Sequence, residues 1–581
     1  RVGFILGDNT VSETNGAVEI LLFRWGASAA ASSVDYTTVP GTATPGADYV
    51  ATDGVVTFAP GQVYATFVLV ILPDNEVEPI ESLQLVLSNP VGASLEGPST
   101  RTLYIRDHTC NDGELRARVA AGGAIIFSND ALIRICSPLV VTQTVTIDAG
   151  GHHVTFTGGG ENRLFEVAPS GQLHLIGLTL KNGLAVGADG PVTSGNPAGA
   201  VRGGDGLGGA VLVQDGLLTA TACRFVGNGA VGGLGGKDYM FPGVSNRWSG
   251  GEGGLGSGGA ISLGGAPGAL RLTNCHFEAN WARGGSGNRG QSALGDFWAK
   301  AGAGWGGAIG VSSTMVVNPP AVLLHGCTLV SNWTEPGIHG WGTWSPPAGG
   351  ALATRSATVS LEGCFLGWNR ASQGSAVLPA SGSVSLTNCT VVGHTNEYAI
   401  RSWQTATGFV ANCTLAGNRG GAAMGDSGSQ LRLVNTIVSG DSLPLCSGIV
   451  DDGYNLCSTN SCAFTNPTSR LNLDPRLAPP DDFGGPTPTM ALLAGSPAID
   501  AGWPVWCPAT DQRGVARPYG AACDIGAFES APPYSIRGFL TGYLASPGGC
   551  AVTILPWSSP ADPVTGRYLL WDLPAGNHLV T

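Results

Sequence analysis

CRFVGN (Cys223–Asn228), CHFEAN (Cys275–Asn280), CTLVSN (Cys327–Asn332), CFLGWN (Cys364–Asn369), CTVVGH (Cys389–His394) and CTLAGN (Cys413–Asn418) share one pattern. Each has a cysteine, an apolar residue two places on, and an asparagine or histidine three places after that. Three readings compete: metal ligands, disulfide partners, or one position in a stacked repeat. The spacing of the copies decides among them. Later cysteines recur every 22 to 25 residues, and earlier ones at 52, 52 and 37. The short spacing is one coil of a solenoid; the long ones are a coil plus an inserted loop.

Stacked coils pair strand on strand about 4.8 Å apart, so equivalent residues form ladders. A buried Asn at a turn can hydrogen-bond to its copies above and below. Asn228, Asn280, Asn332, Asn369 and Asn418 are predicted to form such a ladder, with His394 in one coil. Cys223, Cys275, Cys327, Cys364, Cys389 and Cys413 would form the adjacent one, as buried thiols filling space. Zinc needs four convergent ligands, which one cysteine per coil does not supply. Parallel in-register Cβ vectors also fit disulfide geometry poorly. NTIVSG at Asn435 has Thr436 in the cysteine position, a change a ladder tolerates and a metal ligand does not.

Composition agrees with a β-rich solenoid. The 581 residues include 91 glycines, 43% are hydrophobic and 12% charged, so the chain is neither disordered nor one ordinary core. Net charge is −13 and only three lysines occur (Lys181, Lys237, Lys300), which argues against nucleic acid or anionic membrane as partners. No apolar run reaches the roughly 18 residues of a membrane span. The fourteen cysteines include pairs outside the repeat. They suit disulfides in an oxidising compartment, hence a secreted chain whose targeting segment, if any, is gone. Cys507 with Cys523, Cys446 with Cys462, and Cys110 with Cys136 are the expected bridges.

Residues 1–108 carry short β-rich runs separated by turns every eight to twelve residues, the spacing of a sandwich. VSETNG, GTATPGADY, GVVTFAPGQ, LPDNEVEPIESLQLVLSNP and LYIRDH follow in the order found in Calx-beta domains, which this segment resembles. The resemblance implies calcium, with Glu13, Asp48, Asp74, Glu78 and Asp107 at the matching positions. Pro73, Arg106 and His108 stand where calcium-binding members often carry acids, so a plain sandwich with exposed carboxylates is the competing reading.

From Cys110 a short helix and a strand are expected to cap the open end of a stack spanning 109–445. GGA(I/V/L) at Gly208, Gly258, Gly306 and Gly349, paired with (F/L)xxN, resembles the repeats of polymorphic outer-membrane proteins, a surface β-helix family; the implied fold is a right-handed parallel β-helix. Residues 446–530, with DPRLAPPDDFGGPTPTMALLAGSPAIDAG and DQRGVARPYGAACDIGAFE, resemble the choice-of-anchor Q region that follows β-helices in secreted bacterial proteins. Residues 534–581 resemble the opening strands of carboxypeptidase-regulatory-like or prealbumin-like domains. The pattern stops where further strands are expected: either the chain is a fragment of a longer protein, or a strand from another molecule completes the domain. The fold class is therefore all-β: a parallel β-helix flanked by an N-terminal β-sandwich and a partial C-terminal one.

Inserted loops at about 183–207, 229–257, 281–305 and 333–348 hold Trp248, Trp281, Trp298, Trp305, Trp333, Trp341 and Trp344. These rings either face a ligand, a glycan or a protein, or pack the loops onto the coils. GGLGG and GGEGGLGSGG lack the Lys-Ser/Thr of a phosphate loop. Glycan hydrolysis needs two carboxylates facing a groove, whereas Glu278, Glu362 and Glu397 are isolated in the text. The expectation is a non-enzymatic, secreted bacterial cell-surface or extracellular structural protein, an adhesin-like rod that self-associates head to tail by strand exchange. It needs no cofactor apart from the calcium the resemblance suggests. The alternative is a polysaccharide-binding or polysaccharide-degrading β-helix.

Overall fold

The computed structural model describes the chain except residues 5–8, 14–15, 26–29, 74–79, 96, 107–109, 195–199, 240–247, 266–267, 293–294, 313–318, 339–345, 441–443, 531–533, 540–550, 555–556, 561–566 and 574–581. It packs into two compact units: Arg1–Gly264 with Asn280–Gly302 and Gly337–Thr343, and Gly265–Ala279 with Ala303–Pro336 and Trp344–Thr581.

The first unit opens with a sandwich. One sheet pairs Val2–Phe4, Ala17–Arg24 and Tyr64–Val70; the other orders Thr10–Ser12, Thr100–Arg106, Glu81–Val91, Ser32–Pro40 and Asp53–Phe58. Strand residues alternate between buried and exposed, as a sheet with one dry face requires. Leu22, Val34, Tyr49, Phe58, Leu69 and Leu83 meet in the core.

After α1 (Gly113–Ala121), tethered by the Cys110–Cys136 disulfide, the backbone winds through three parallel sheets. In the first unit one sheet stacks Gly123–Ile126, Thr144–Asp148, Gln172–Ile176 and Leu217–Thr221; the second Ala131–Arg134, Val154–Thr157, Thr179–Lys181 and Arg224–Val226; the third Leu139–Val141, Phe165–Val167, Val211–Gln214 and Ile261–Gly264. The fold is a parallel β-helix. The second unit repeats the architecture, for example Thr328–Val330, Phe365–Gly367, Thr390–Val392, Thr414–Ala416, Ile437–Ser439 and Leu456–Cys457.

Each coil turns through residues with positive φ. One precedes every cysteine: Ala222, Asn274, Gly326, Gly363, Asn388 and Asn412, at 51–61°. Another precedes every ladder Asn or His: Gly227, Ala279, Ser331, Trp368, Gly393 and Gly417. The first glycine of each GGA step (Gly208, Gly258, Gly306, Gly349) supplies a third, at 62–65°. Left-handed residues cost least as Gly or Asn, and those types dominate the corners.

Between the first two corners lie the ladders. In the first unit Asn280 Oδ1 accepts from Asn228 N–H and Nδ2 at 3.0 and 2.9 Å, while Asn280 Nδ2 donates to Phe225 C=O. In the second, Asn369 Oδ1 accepts from Asn332 N–H at 2.9 Å and Asn418 Oδ1 from His394 N–H at 3.1 Å. Asn228, Asn280, Asn332, Asn369, His394 and Asn418 are at most 1% exposed. His394 Nδ1 lies 3.0 Å from Asn418 Oδ1, and its Nε2 3.4 Å from Asn369 Nδ2. A neutral imidazole with its proton on Nδ1 satisfies both, and burial lowers its pKa to about 4. The six cysteines are buried thiols outside any disulfide. From Cys327 onward each thiol donates to the carbonyl two residues back and to one in the preceding coil. Burial drives the Cys364 and Cys389 thiols well above their ordinary pKa, so they stay protonated.

After the last coil the chain of the second unit turns back, and residues 477–528 roof the outer face of one sheet. Met490 packs with Phe365, Val392 and Ala416; Leu492, Ile525 and Phe528 pack with Ile437 and Leu456. Residues 534–573 form two antiparallel pairs, Tyr534–Phe539 with Arg567–Leu573 and Ala551–Ile554 with Trp557–Pro560.

Candidate functional site

Three backbone contacts build the sandwich end that carries the acidic candidates. Ser12 pairs with Arg106, Ile71 N–H donates to Gly16 C=O at 3.1 Å, and Leu72 N–H donates to Asp48 C=O at 2.9 Å. Glu13 and Asp48 are 2% and 3% exposed. Asp48 Oδ2 accepts from Thr44 N–H and ties the 44–48 turn. Asp74, Glu78, Asp107 and His108 lie outside the described residues. The structure thus describes two of the five acidic candidates, both as buried carboxylates. Among the described residues no three His, Cys, Asp or Glu groups converge as a metal site.

Residues 1–109 match the Calx-beta domain family. Over 108 residues the chain is 34% identical to the sodium/calcium exchanger Calx of Drosophila melanogaster, a stretch that covers 18% of this chain and 11% of the exchanger. The crystal structure of the apo-form Calx CBD1 domain aligns at 34% identity, covering 18% of this chain and 95% of that one, with a TM-score of 0.18. The calcium binding domain CBD12 of CALX1.1 aligns at 29%, covering 23% and 52%, with a TM-score of 0.19. The chain thus spans about a tenth of the exchanger's length, all of it within the Calx-beta module.

Away from that module, the inserts of the first unit have an interior of glycine backbone. Gly187 and Gly190 N–H donate to Val231 and Leu234 C=O; Gly232 and Gly235 to Arg283 and Ser286; Gly203 and Gly206 to Glu252 and Leu255, all at 2.8–3.0 Å. Donors and acceptors both advance by three. A second phase of the same segments bonds sideways: Gly337 to Gly302, Gly302 to Gly285, Gly285 to Gly254, Gly254 to Gly233, Gly233 to Gly204 and Gly204 to Ala188. A period of three with several neighbours is the geometry of polyproline II, here polyglycine helices packed side by side, rather than the period of two of a strand. A Cβ on Gly254 would lie 1.8 Å from Gly204 O, and one on Gly302 1.7 Å from Gly254 O. The third positions face outward, including Leu234 (50% exposed). The signal was present in the sequence as GGLGGK and GGEGGLG, a glycine pair in every three residues.

The tryptophans therefore divide. Trp305 is 3% exposed, its Nε1 donates to Val311 C=O at 3.4 Å and Arg355 lies over its ring, so it presents no face to a ligand. Trp281 is half-buried: its ring occupies the space over Gly229, and Arg283 stacks on it. Trp333 is half-buried in the strand Trp333–Glu335. Trp248 and Trp298 lie on strands described by their backbone, and Trp341 and Trp344 lie outside the described residues.

In the second unit the tail is read by the left-handed corners. Asn388 Nδ2 donates to Thr510 C=O, Asn412 Nδ2 to Trp506 C=O, and Asn435 Nδ2 to Trp503 C=O, at 2.6–3.2 Å. The tail thus runs opposite to the rise of the coils. Gln512 bonds Thr390 Oγ1, Thr487 Oγ1 and Pro488 C=O. Behind it Arg517 pairs with Glu529 at 3.4 Å, both fully buried, and Arg513 with Asp511 at 2.7 Å. Asp524 accepts N–H groups from Asp500 and Ser530, yet burial still raises its carboxyl to about 7. These ion pairs and hydrogen bonds hold the roof together.

Cys110 is bonded to Cys136 and Cys446 to Cys462. The expected Cys507–Cys523 bridge is not formed. Neither is in a disulfide: the Cys507 thiol donates to Pro508 C=O and the Cys523 thiol to Trp503 C=O.

Proposed function

We propose that this is a non-enzymatic, secreted bacterial cell-surface or extracellular structural protein of the adhesin type, whose Calx-beta module takes calcium. One observation carries the reading: in the second unit the 477–528 roof covers the outer face of the coils with the protein's own chain, while in the first the glycine helices spend their backbone groups on one another. A glycan-cleaving β-helix needs an open groove with two working carboxylates. Here the buried acids of the roof are saturated by backbone N–H groups and arginines. The two disulfides support an oxidising compartment. Among the described residues no helix is long and apolar enough to cross a membrane. Glu13 and Asp48, with Asp74, Glu78 and Asp107, are the proposed calcium ligands, and the strands of 534–573 the proposed self-association module.

Calorimetric titration of the full chain tests the calcium arm. Saturable calcium uptake lost in Glu13→Gln/Asp48→Asn supports it, and no heat of binding overturns it. Incubation with acidic and neutral polysaccharides tests the other arm. Release of reducing ends or unsaturated uronates overturns the non-enzymatic reading and favours the polysaccharide-degrading one.

A further inference from the structure

The first coil has three outer strand edges, and the chain treats them differently. Ala131–Arg134 ends its sheet, and Asn111 seals it: Asn111 Oδ1 accepts from Arg134 N–H at 2.7 Å and Nδ2 donates to Leu132 C=O at 2.9 Å. Leu139–Val141 ends the second sheet and lies under α1, whose Arg116 bonds the carbonyls of Ser137 and Pro138 just before it. Gly123–Ile126 ends the third. Phe127 N–H donates inward to Asp148 C=O. Alternate residues of a parallel strand bond the same neighbour, so Gly123 and Ile125 also face inward. Ala124 and Ile126 then aim their N–H and C=O groups outward. Both are exposed, and Ile126 is 63% exposed. Beside this edge lies a cleft of about 320 Å³ between α1 and the first coil, with both apolar (Leu115, Ile125, Ile126) and charged (Glu114, Arg118, Asp130) lining.

An open edge with alternating donors and acceptors, with room beside it, is a template for one more strand. We propose that Gly123–Ile126 is the acceptor edge for a strand from residues 534–573 of a second copy. Among the described residues those strands pair only in twos, and a two-stranded sheet is marginal by itself. Each therefore has an edge to offer, and the acceptor is the first-coil edge left unsealed. This rests on the self-association reading above and names its contact.

Sedimentation velocity of the full chain across a concentration series provides the test, with Ile126→Lys as the variant. The side chain points to solvent, so the fold should persist, which an unchanged thermal midpoint verifies. Expected is concentration-dependent assembly of the wild type and at least a tenfold weaker association of the variant. A peptide of residues 567–573 should compete. A photoreactive residue at position 126 should crosslink to 534–573 of an isotopically distinct copy. Assembly unchanged in Ile126→Lys, or crosslinks that map elsewhere, overturns this contact while leaving self-association standing. A wild type that stays monomeric at high concentration overturns self-association itself.

Discussion

The insert-bearing coils of the first unit and the roofed coils of the second have the same kind of frame and add chain to it by opposite means. In the first, outward ladder positions such as Arg224 are exposed, and the added mass is polyglycine backbone that packs on itself. In the second, Phe365, Thr390, Thr414 and Ile437 hold the equivalent outward position of their coils, and a returning tail buries them. One covering excludes side chains; the other reads them. The difference teaches that a solenoid's core repeat leaves its outer chemistry free, and that two kinds of local text fill it.

The comparison breaks most sharply at Gly254. Gly254→Val drives a side chain into Gly204 O and should cost more than about 4 kcal/mol, or unfold the inserts alone. Gly264→Ala, with open space at its Cβ, should change nothing. Thermal unfolding and amide exchange over 232–287 read both.

Acid should strike the second unit through His394. Its folded pKa near 4 lies below the ordinary 6.5, so the unfolded chain takes up a proton the folded one refuses. That stability is complete above pH 6.5 and falls by up to about 3 kcal/mol as pH drops toward 4. Asp524 runs the other way: its raised pKa favours the folded state at low pH, and that contribution is lost as pH rises through 7. Urea unfolding at pH 7, 5.5 and 4 should show the wild type losing more stability than His394→Asn over the acid limb. Equal losses would refute the neutral imidazole.

Asn412→Gly keeps the left-handed corner but drops the bond to Trp506 C=O. It should cost about 1–2 kcal/mol and speed exchange across 503–512. Cys389→Thr should cost less than about 1 kcal/mol in chemical unfolding. Thr436 already holds that rung, donating to Val434 and Val410 carbonyls as the cysteines do to theirs.

The coil frame was legible because each turn repeats one inward residue set at nearly constant spacing. The inserts read only as loops, because a helix without side chains leaves no hydrophobic period. The roof was half legible. DQRG and CDIGAFE stood out as text, but their partners at the corners are carbonyls of Trp503, Trp506 and Thr510, some seventy to 120 residues from the asparagines that bind them. A main-chain acceptor has no letter. Of the tryptophans, the sequence could not say that Trp305 turns inward, since burial there depends on Arg355 from another coil. For Cys507 and Cys523 the neighbourhood was readable and the oxidation state was not.

The glycine helices also constrain how this chain can change length. Their interior accepts residues only in threes, since an insertion of one or two rotates every following outward side chain into a neighbour's backbone. The coils change length by a whole circuit, and the roof by the distance between corner asparagines. Natural variants of the inserts should therefore differ by multiples of three residues, a triplet grammar written in protein rather than in its gene.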